Sequence, residues 1–221
     1  MANSEEHTEK RVEQITAGKI RRILELKNEG QRKAILANLR RGAGRTPGEL
    51  PELWGEFLEG VPEDLCGTGK DDPNWTEWAV YTALTLFALH QQGHDCEKSP
   101  MHKENIGLGT AVAQTVSPEN VKMSDDERKA AFARVRRRFN IVATASSMEK
   151  LSWHLRGLIQ LISSQSVGLD YGRLARDLYL YQIPAVQKSV RLQWGRDLYR
   201  EYYRYYSAAN DGRKDNGEAN D

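Results

Sequence analysis

Apolar positions recur at three- and four-residue spacing along most of the chain, and period-two runs of Val, Ile and Thr are absent. The pattern predicts an all-α protein with little or no strand. A first helix is expected from about Glu5 to Lys27, broken at Gly30. A second follows to about Arg41, where Gly42 and Gly44 are natural stops. Thr46-Pro47 reads as an N-cap followed by proline at the first helical position of a short acidic helix with Leu53, Trp54, Phe57 and Leu58. Residues 60–73 are a Gly/Pro/Asp-rich loop. Asn74 caps a helix from Trp75 to about Gln92 that is apolar on nearly every side, so it should lie at the centre. A modest helix is expected over about 104–115. Ser117-Pro118 and the polar run to Met123 mark a boundary.

The second half has a sharper pattern. Ser124 and Glu127 form a capping box, and their helix places Phe132, Val135, Phe139 and Val142 on one stripe. Ser146 and Glu149 suggest another box, opening a helix with Leu151, Leu155, Leu158 and Ile162 on one side. Asp170 caps a short helix bearing Leu174, Leu178 and Tyr181. Pro184 starts a long last helix through Val190, Trp194, Leu198 and Tyr202. Four helices with short connections suggest a four-helix bundle. The expected division is an N-terminal helical domain over 1–122, a C-terminal bundle over 123–207 and a disordered polar tail over 208–221.

Composition narrows the class. Of 221 residues, 39% are hydrophobic and 29% charged, so much of the surface is wet. The longest uncharged apolar stretch, Trp78 to Leu89, is twelve residues, short of the roughly 18–20 that a membrane span needs. The first residues show no basic region followed by an apolar segment, so no export signal is expected. Cys66 and Cys96 then read as reduced, partly buried thiols of a cytoplasmic protein.

Charge position changes the picture more than charge total. Lys+Arg number 32 and Asp+Glu 31, a balance that taken alone argues against a nucleic-acid binder. The signs are segregated, however. Residues 19–45 hold nine Lys/Arg against two acids, residues 49–77 nine acids against one lysine, and residues 128–156 eight Lys/Arg against one acid. At 100° per residue, Arg134, Arg137 and Arg138 fall opposite the Phe132/Val135/Phe139 stripe. Acids to pair with them are missing at neighbouring helical positions. A solvated surface laced with salt bridges is the ordinary reading of such a helix; here phosphate is the natural partner for the arginine forks.

Other chemistry is thin. His90, His94, Cys96 and His102 are the one cluster with metal-ligand residue types, but Gly93 interrupts the helical spacing and no HExxH glutamate is present. No metal or cofactor is expected. There is no GxxxxGK[ST] loop and no GxSxG elbow. Asp170 and Asp177 could share a helix face, yet an N-cap and an arginine partner explain them more simply than a catalytic pair. Eight of nine tyrosines follow residue 170, and Tyr202, Tyr203, Tyr205 and Tyr206 bracket Arg204. Core packing accounts for them more readily than base stacking.

Several stretches, in order, carry a family resemblance. They are Leu39-Arg40-Arg41-Gly42 with Gly44-Arg45 and Pro47; Ala88-Leu89-His90-Gln91; Pro100-Met101-His102 followed by Gly107-Leu108-Gly109; Arg137-Arg138-Phe139-Asn140; His154-Leu155-Arg156-Gly157-Leu158-Ile159; Asp170 to Leu178; and Val190 to Asp197. Over about residues 10–206 the chain resembles the small subunit (CasB) of the type I-E CRISPR Cascade surveillance complex. The resemblance implies an all-α, non-catalytic subunit with an N-terminal helical part and a C-terminal four-helix bundle. It implies two copies side by side, contacting the backbone subunits and the large subunit. It also implies a basic surface that holds guide RNA, target strand and displaced DNA strand without reading sequence, as in other guided systems. Arg40, Arg41, Arg45, Arg137, Arg138 and Arg156 fall in the family's basic stretches, and Arg191 and Arg196 in its last-helix motif. Arg134 is added from helix geometry alone. Some of these must be structural: Arg191 and Arg196 stand close to Asp197. The competing readings are a purely structural spacer whose basic faces dock on acidic partner proteins, the acids of 49–77 pairing with a basic block of a neighbouring copy, and a small metalloenzyme using His90, His94 and Cys96.

Overall fold

Asn74 and Ser124 open their helices with reciprocal capping boxes. The side chain of each accepts from the backbone N–H three residues on, while Glu77 or Glu127 accepts from the cap's own N–H. The computed structural model describes residues 8–68, 73–117 and 123–214, with side chains to 205. Nine α-helices occupy them: α1 (Thr8–Leu24), α2 (Glu29–Arg41), α3 (Trp54–Leu58), α4 (Trp75–His90), α5 (Leu108–Gln114), α6 (Asp125–Ala143), α7 (Met148–Ser164), α8 (Tyr171–Tyr181) and α9 (Pro184–Lys214). No strand occurs among the described residues. An isolated parallel bridge joins His102 to Leu169. No described helix is long and apolar enough to cross a membrane.

The all-α expectation holds, and α4 is its centre. Thirteen of its sixteen residues are buried, and α1, α2, α3, α7 and α8 all pack on it. A helix walled on every side must be apolar all round. The most extensive contacts run between α5 and α9 and between α1 and α8, so helices from both halves of the chain share one hydrophobic core. Gly109 makes the first of these contacts possible. A Cβ there would stand 2.1 Å from the Trp194 carbonyl oxygen and 2.7 Å from the Leu198 nitrogen.

Several local expectations shift. Asn28 caps α2, accepting from the Gln31 N–H, and Gly30 lies inside the first turn rather than breaking the helix. Thr46-Pro47 forms a turn closed by Glu49; the proline that starts a helical segment is Pro51, at the head of a short 3-10 turn. Ser147, not Ser146, caps α7. The segment expected as helix from about 104 begins helix only at Leu108, because Asn105 adopts φ 66° and its N–H goes to Asp170. Helix α9 continues to Lys214, into the stretch expected as a disordered tail, while 215–221 and most of the 117–123 boundary lie outside the described residues.

Candidate nucleic-acid interface

Many cations of the two basic blocks have partners within the chain, some buried and some at the surface. Lys19 is buried and its Nζ donates to the carbonyls of Glu56 and Glu59, closing the end of α3; burial pushes its pKa down. Arg32 donates to the carbonyls of Leu24 and Leu26 and pairs with Glu97. Arg128 is buried against the carbonyls of Val116 and Met123. Arg21, Lys33 and Lys129 pair with Glu104, Glu29 and Asp126. Arg136 donates to the Tyr199 hydroxyl, and Lys150 to Ser146.

Four cations of the second block remain. Arg134, Arg137, Arg138 and Arg156 are exposed, and none has an ion-pair or hydrogen-bond partner among the described residues. Arg134 and Arg138 stand one turn apart on α6, and Arg137 and Arg138 lead to Ile141 one turn further. The buried stripe of Phe132, Val135, Phe139 and Val142 turns this row outward, as the sequence pattern implies.

The first block meets the second at a glycine turn. After α2 the chain passes Gly42, where a Cβ would strike the Tyr81 hydroxyl at 2.6 Å and Leu53 at 2.8 Å, so the turn is pressed onto α4. Gly44 follows at φ 82°, a left-handed conformation that L side chains rarely adopt. Its Cα faces α7: a Cβ would lie 3.3 Å from Arg156 Cδ and 3.8 Å from Trp153 Cα. The segment bearing Arg40, Arg41 and Arg45 therefore abuts the helix bearing Arg156, which shares a groove with Arg138 of α6. Arg41 pairs with Glu52 at 2.9 Å and Arg45 with Glu49 at 3.5 Å, all four side chains being substantially exposed. Such surface pairs contribute about 0–1 kcal/mol, so a phosphate can displace them. Glu49 itself is held below the usual carboxylate range chiefly by the Thr46 N–H, with Arg45 a lesser cause. Arg40 is half-buried at the end of α2.

The last-helix arginines stand apart. Arg191 is turned inward: its Nε and Nη2 donate to the Tyr181 hydroxyl, Nη2 also reaches the Ala145 carbonyl, and the guanidinium lies 5.1 Å from the Tyr181 ring centre. That is a structural role, not a surface cation. Neither Arg191 nor Arg196 pairs with Asp197, whose partners are Arg173 and Arg200. Arg196 is exposed in a different groove, between α1 and α9, with Glu9, Glu13 and Arg21.

The remaining candidates are engaged by the fold. His90 is fully buried with Nδ1 2.9 Å from the Tyr171 hydroxyl, and burial lowers its pKa to about 4. His94 contacts Ser163, and His102 accepts from the Tyr171 N–H. Among the described residues no group of three or more His, Cys, Asp or Glu is placed to hold a metal. Cys66 and Cys96 are free, half-buried thiols. Asp170 caps α8, and Asp177 is buried beneath the Trp194 indole N–H and Arg176. Arg204 pairs with Glu201 beside Tyr205, while Tyr202 and Tyr205 are buried. The side chain of Tyr206 lies outside the described residues. A functional candidate that the sequence pattern did not single out is Trp153, 63% exposed in the groove between Arg138 and Arg156. A signal for it was present: a large aromatic off the Leu151/Leu155/Leu158/Ile162 stripe.

Known proteins share this architecture. The family described as CRISPR-associated protein Cse2 matches residues 35–199. The crystal structure of CasB from Thermobifida fusca superposes with a TM-score of 0.65 at 32% identity, covering 85% of this chain and 97% of that one. The crystal structure of M. ruber CasB gives a TM-score of 0.60 at 23% identity, over 89% and 97%, a likeness of fold. No curated protein matches significantly.

Proposed function

Because the chain belongs to the CRISPR-associated Cse2 (CasB) family, whose members are Cascade subunits, we propose that it is a non-catalytic subunit holding nucleic-acid backbone. The binding face comprises Arg134, Arg137, Arg138 and Arg156, extended by Arg40, Arg41 and Arg45. One observation carries this reading. The fold buries Arg128, pairs Lys129 with Asp126 and engages Arg136 and Lys150 with the hydroxyls of Tyr199 and Ser146, and it leaves these four arginines exposed without an acid or other partner among the described residues. Crowding like charges is unfavourable without an anion; phosphates supply it, releasing counterions as they bind. Base pairing by the guide then provides specificity, and this face steadies the guide RNA–target hybrid and the displaced strand of the R-loop. The other Cascade subunits and a second copy of the chain are its protein partners in this proposal.

In the spacer alternative the acidic block would face a neighbour's basic block; Glu49 and Glu52 already pair with Arg45 and Arg41 of the same chain, weakly enough for either a phosphate or another cation to displace them. The test is a salt titration of binding to a 20-nucleotide strand. Reversing Arg134, Arg137 and Arg138 to Glu together should make the slope of log K against log salt shallower, by about 0.7 for each single-strand phosphate that is no longer neutralised. An unchanged slope removes this face from the interface.

A further inference from the structure

Beside these arginines the molecule exposes apolar surface where a water-facing helix would ordinarily be polar. Trp153 is 63% exposed and Ile141 49% exposed, and both line a groove of about 340 Å³ between α6 and α7. The groove carries Arg138 and Arg156 and no carboxylate. His154 meets the indole edge-on, with ring centres 5.1 Å apart, and steadies it. One turn along α7 from Trp153 is Gly157, where a Cβ would meet nothing within 4 Å. Close packing does not require glycine there, and a glycine inside a helix is destabilising. Its effect is to leave open the floor beside the indole.

We propose that this groove is a shelf for one unpaired nucleobase, stacked on the Trp153 indole while Arg138 and Arg156 hold the flanking phosphates. The inference rests on the proposed nucleic-acid function and sharpens it: the face takes single strands in preference to duplex. The charge pattern favours this occupant. The ligand must offer an apolar face and negative charges on either side of it, which a single strand does at every nucleotide. A duplex presents the same phosphates, but its base faces are stacked inside. An acidic protein surface would not need the open space that Gly157 leaves beside the indole.

The experiment uses the full chain with three probes of equal length: an oligo-dT strand, the same backbone with abasic sites, and a duplex. Wild type should bind oligo-dT more tightly than the abasic strand. Trp153→Ala should cut oligo-dT affinity about tenfold, within the range of one base–aromatic stack, and leave abasic binding and the salt slope unchanged. Trp153→Phe should retain most of the affinity, and Gly157→Leu, which fills the floor, should lose it. Both sites face solvent, so circular dichroism should be unaltered. Equal wild-type affinity for oligo-dT and abasic strand, or an undiminished Trp153→Ala, overturns the shelf while leaving the arginine face standing. Failure of Trp153→Ala to copurify with partner subunits, with intact oligo-dT binding, also overturns it, in favour of protein docking. Failure of wild type to bind any probe overturns the underlying reading instead.

Discussion

Single residues here are decided by what lies within a few ångström of them. Arg191 and Arg156 are both arginines in basic, family-like segments, yet Arg191 directs its guanidinium to Tyr181 and Ala145 while Arg156 faces open solvent. Nothing in the local sequence separates the two, because the partners of Arg191 are ten and 46 residues away. His90 shows the same dependence on distant neighbours. Sealed against Tyr171, it takes up a proton only near pH 4 in the folded protein, against 6.5 for a histidine in water. The unfolded chain therefore holds more protons between those values. The stabilisation is complete above pH 6.5 and declines as pH falls toward 4, by roughly 3 kcal/mol for this residue. Burial shifts His102 in the same direction. Thermal unfolding from about pH 7.5 to about pH 4.5 should show this decline, and His90→Gln should flatten the profile; a variant profile parallel to wild type contradicts the assignment.

At the scale of elements, caps and stripes were legible because they are local. The boxes at Asn74/Glu77 and Ser124/Glu127 and the Asp170 cap need only three or four consecutive residues to form. The start of α5 was misplaced because a hydrogen bond to Asp170, 65 residues away, holds Asn105 outside the helix. The α5–α9 crossing was likewise invisible, since Gly107-Leu108-Gly109 falls inside the helix expected over about 104–115 and nothing local marks Gly109 as a contact point. Its role is a close backbone approach. Gly109→Ala would drive a methyl into the Trp194 carbonyl and Leu198 nitrogen, costing about 3 kcal/mol as overpacking. For a chain of this size the melting temperature should then drop by roughly 6–12 °C. Gly195→Ala, with open space around it, should not drop. Equal melting temperatures for Gly109→Ala and wild type would mean the helices separate freely.

For the whole molecule, a near-zero net charge conceals a sorted surface. The turn at Gly44 joins the cations of α2's end to those of α6 and α7, although more than 100 residues separate Arg45 from Arg156. Binding should therefore respond to both halves of the chain. Arg45→Glu with Arg156→Glu should weaken oligonucleotide binding and reduce its salt slope as the α6 reversals do. Arg196→Glu, in the α1–α9 groove, should change neither. A larger effect from Arg196 than from the Arg45/Arg156 pair would relocate the interface.

Residue order alone was enough for the all-α class, the central α4, the outward row on α6 and the family resemblance. These depend on spacing within one or two helical turns, and a 3.6-residue period can be read without knowing any neighbour. Which of the seventeen cations in the two basic blocks stay free, where those blocks touch, and that Trp153 stands exposed between arginines depended on the folded chain. Burial, carbonyl acceptors and ion-pair partners come from segments tens of residues away, and only packing brings them within reach.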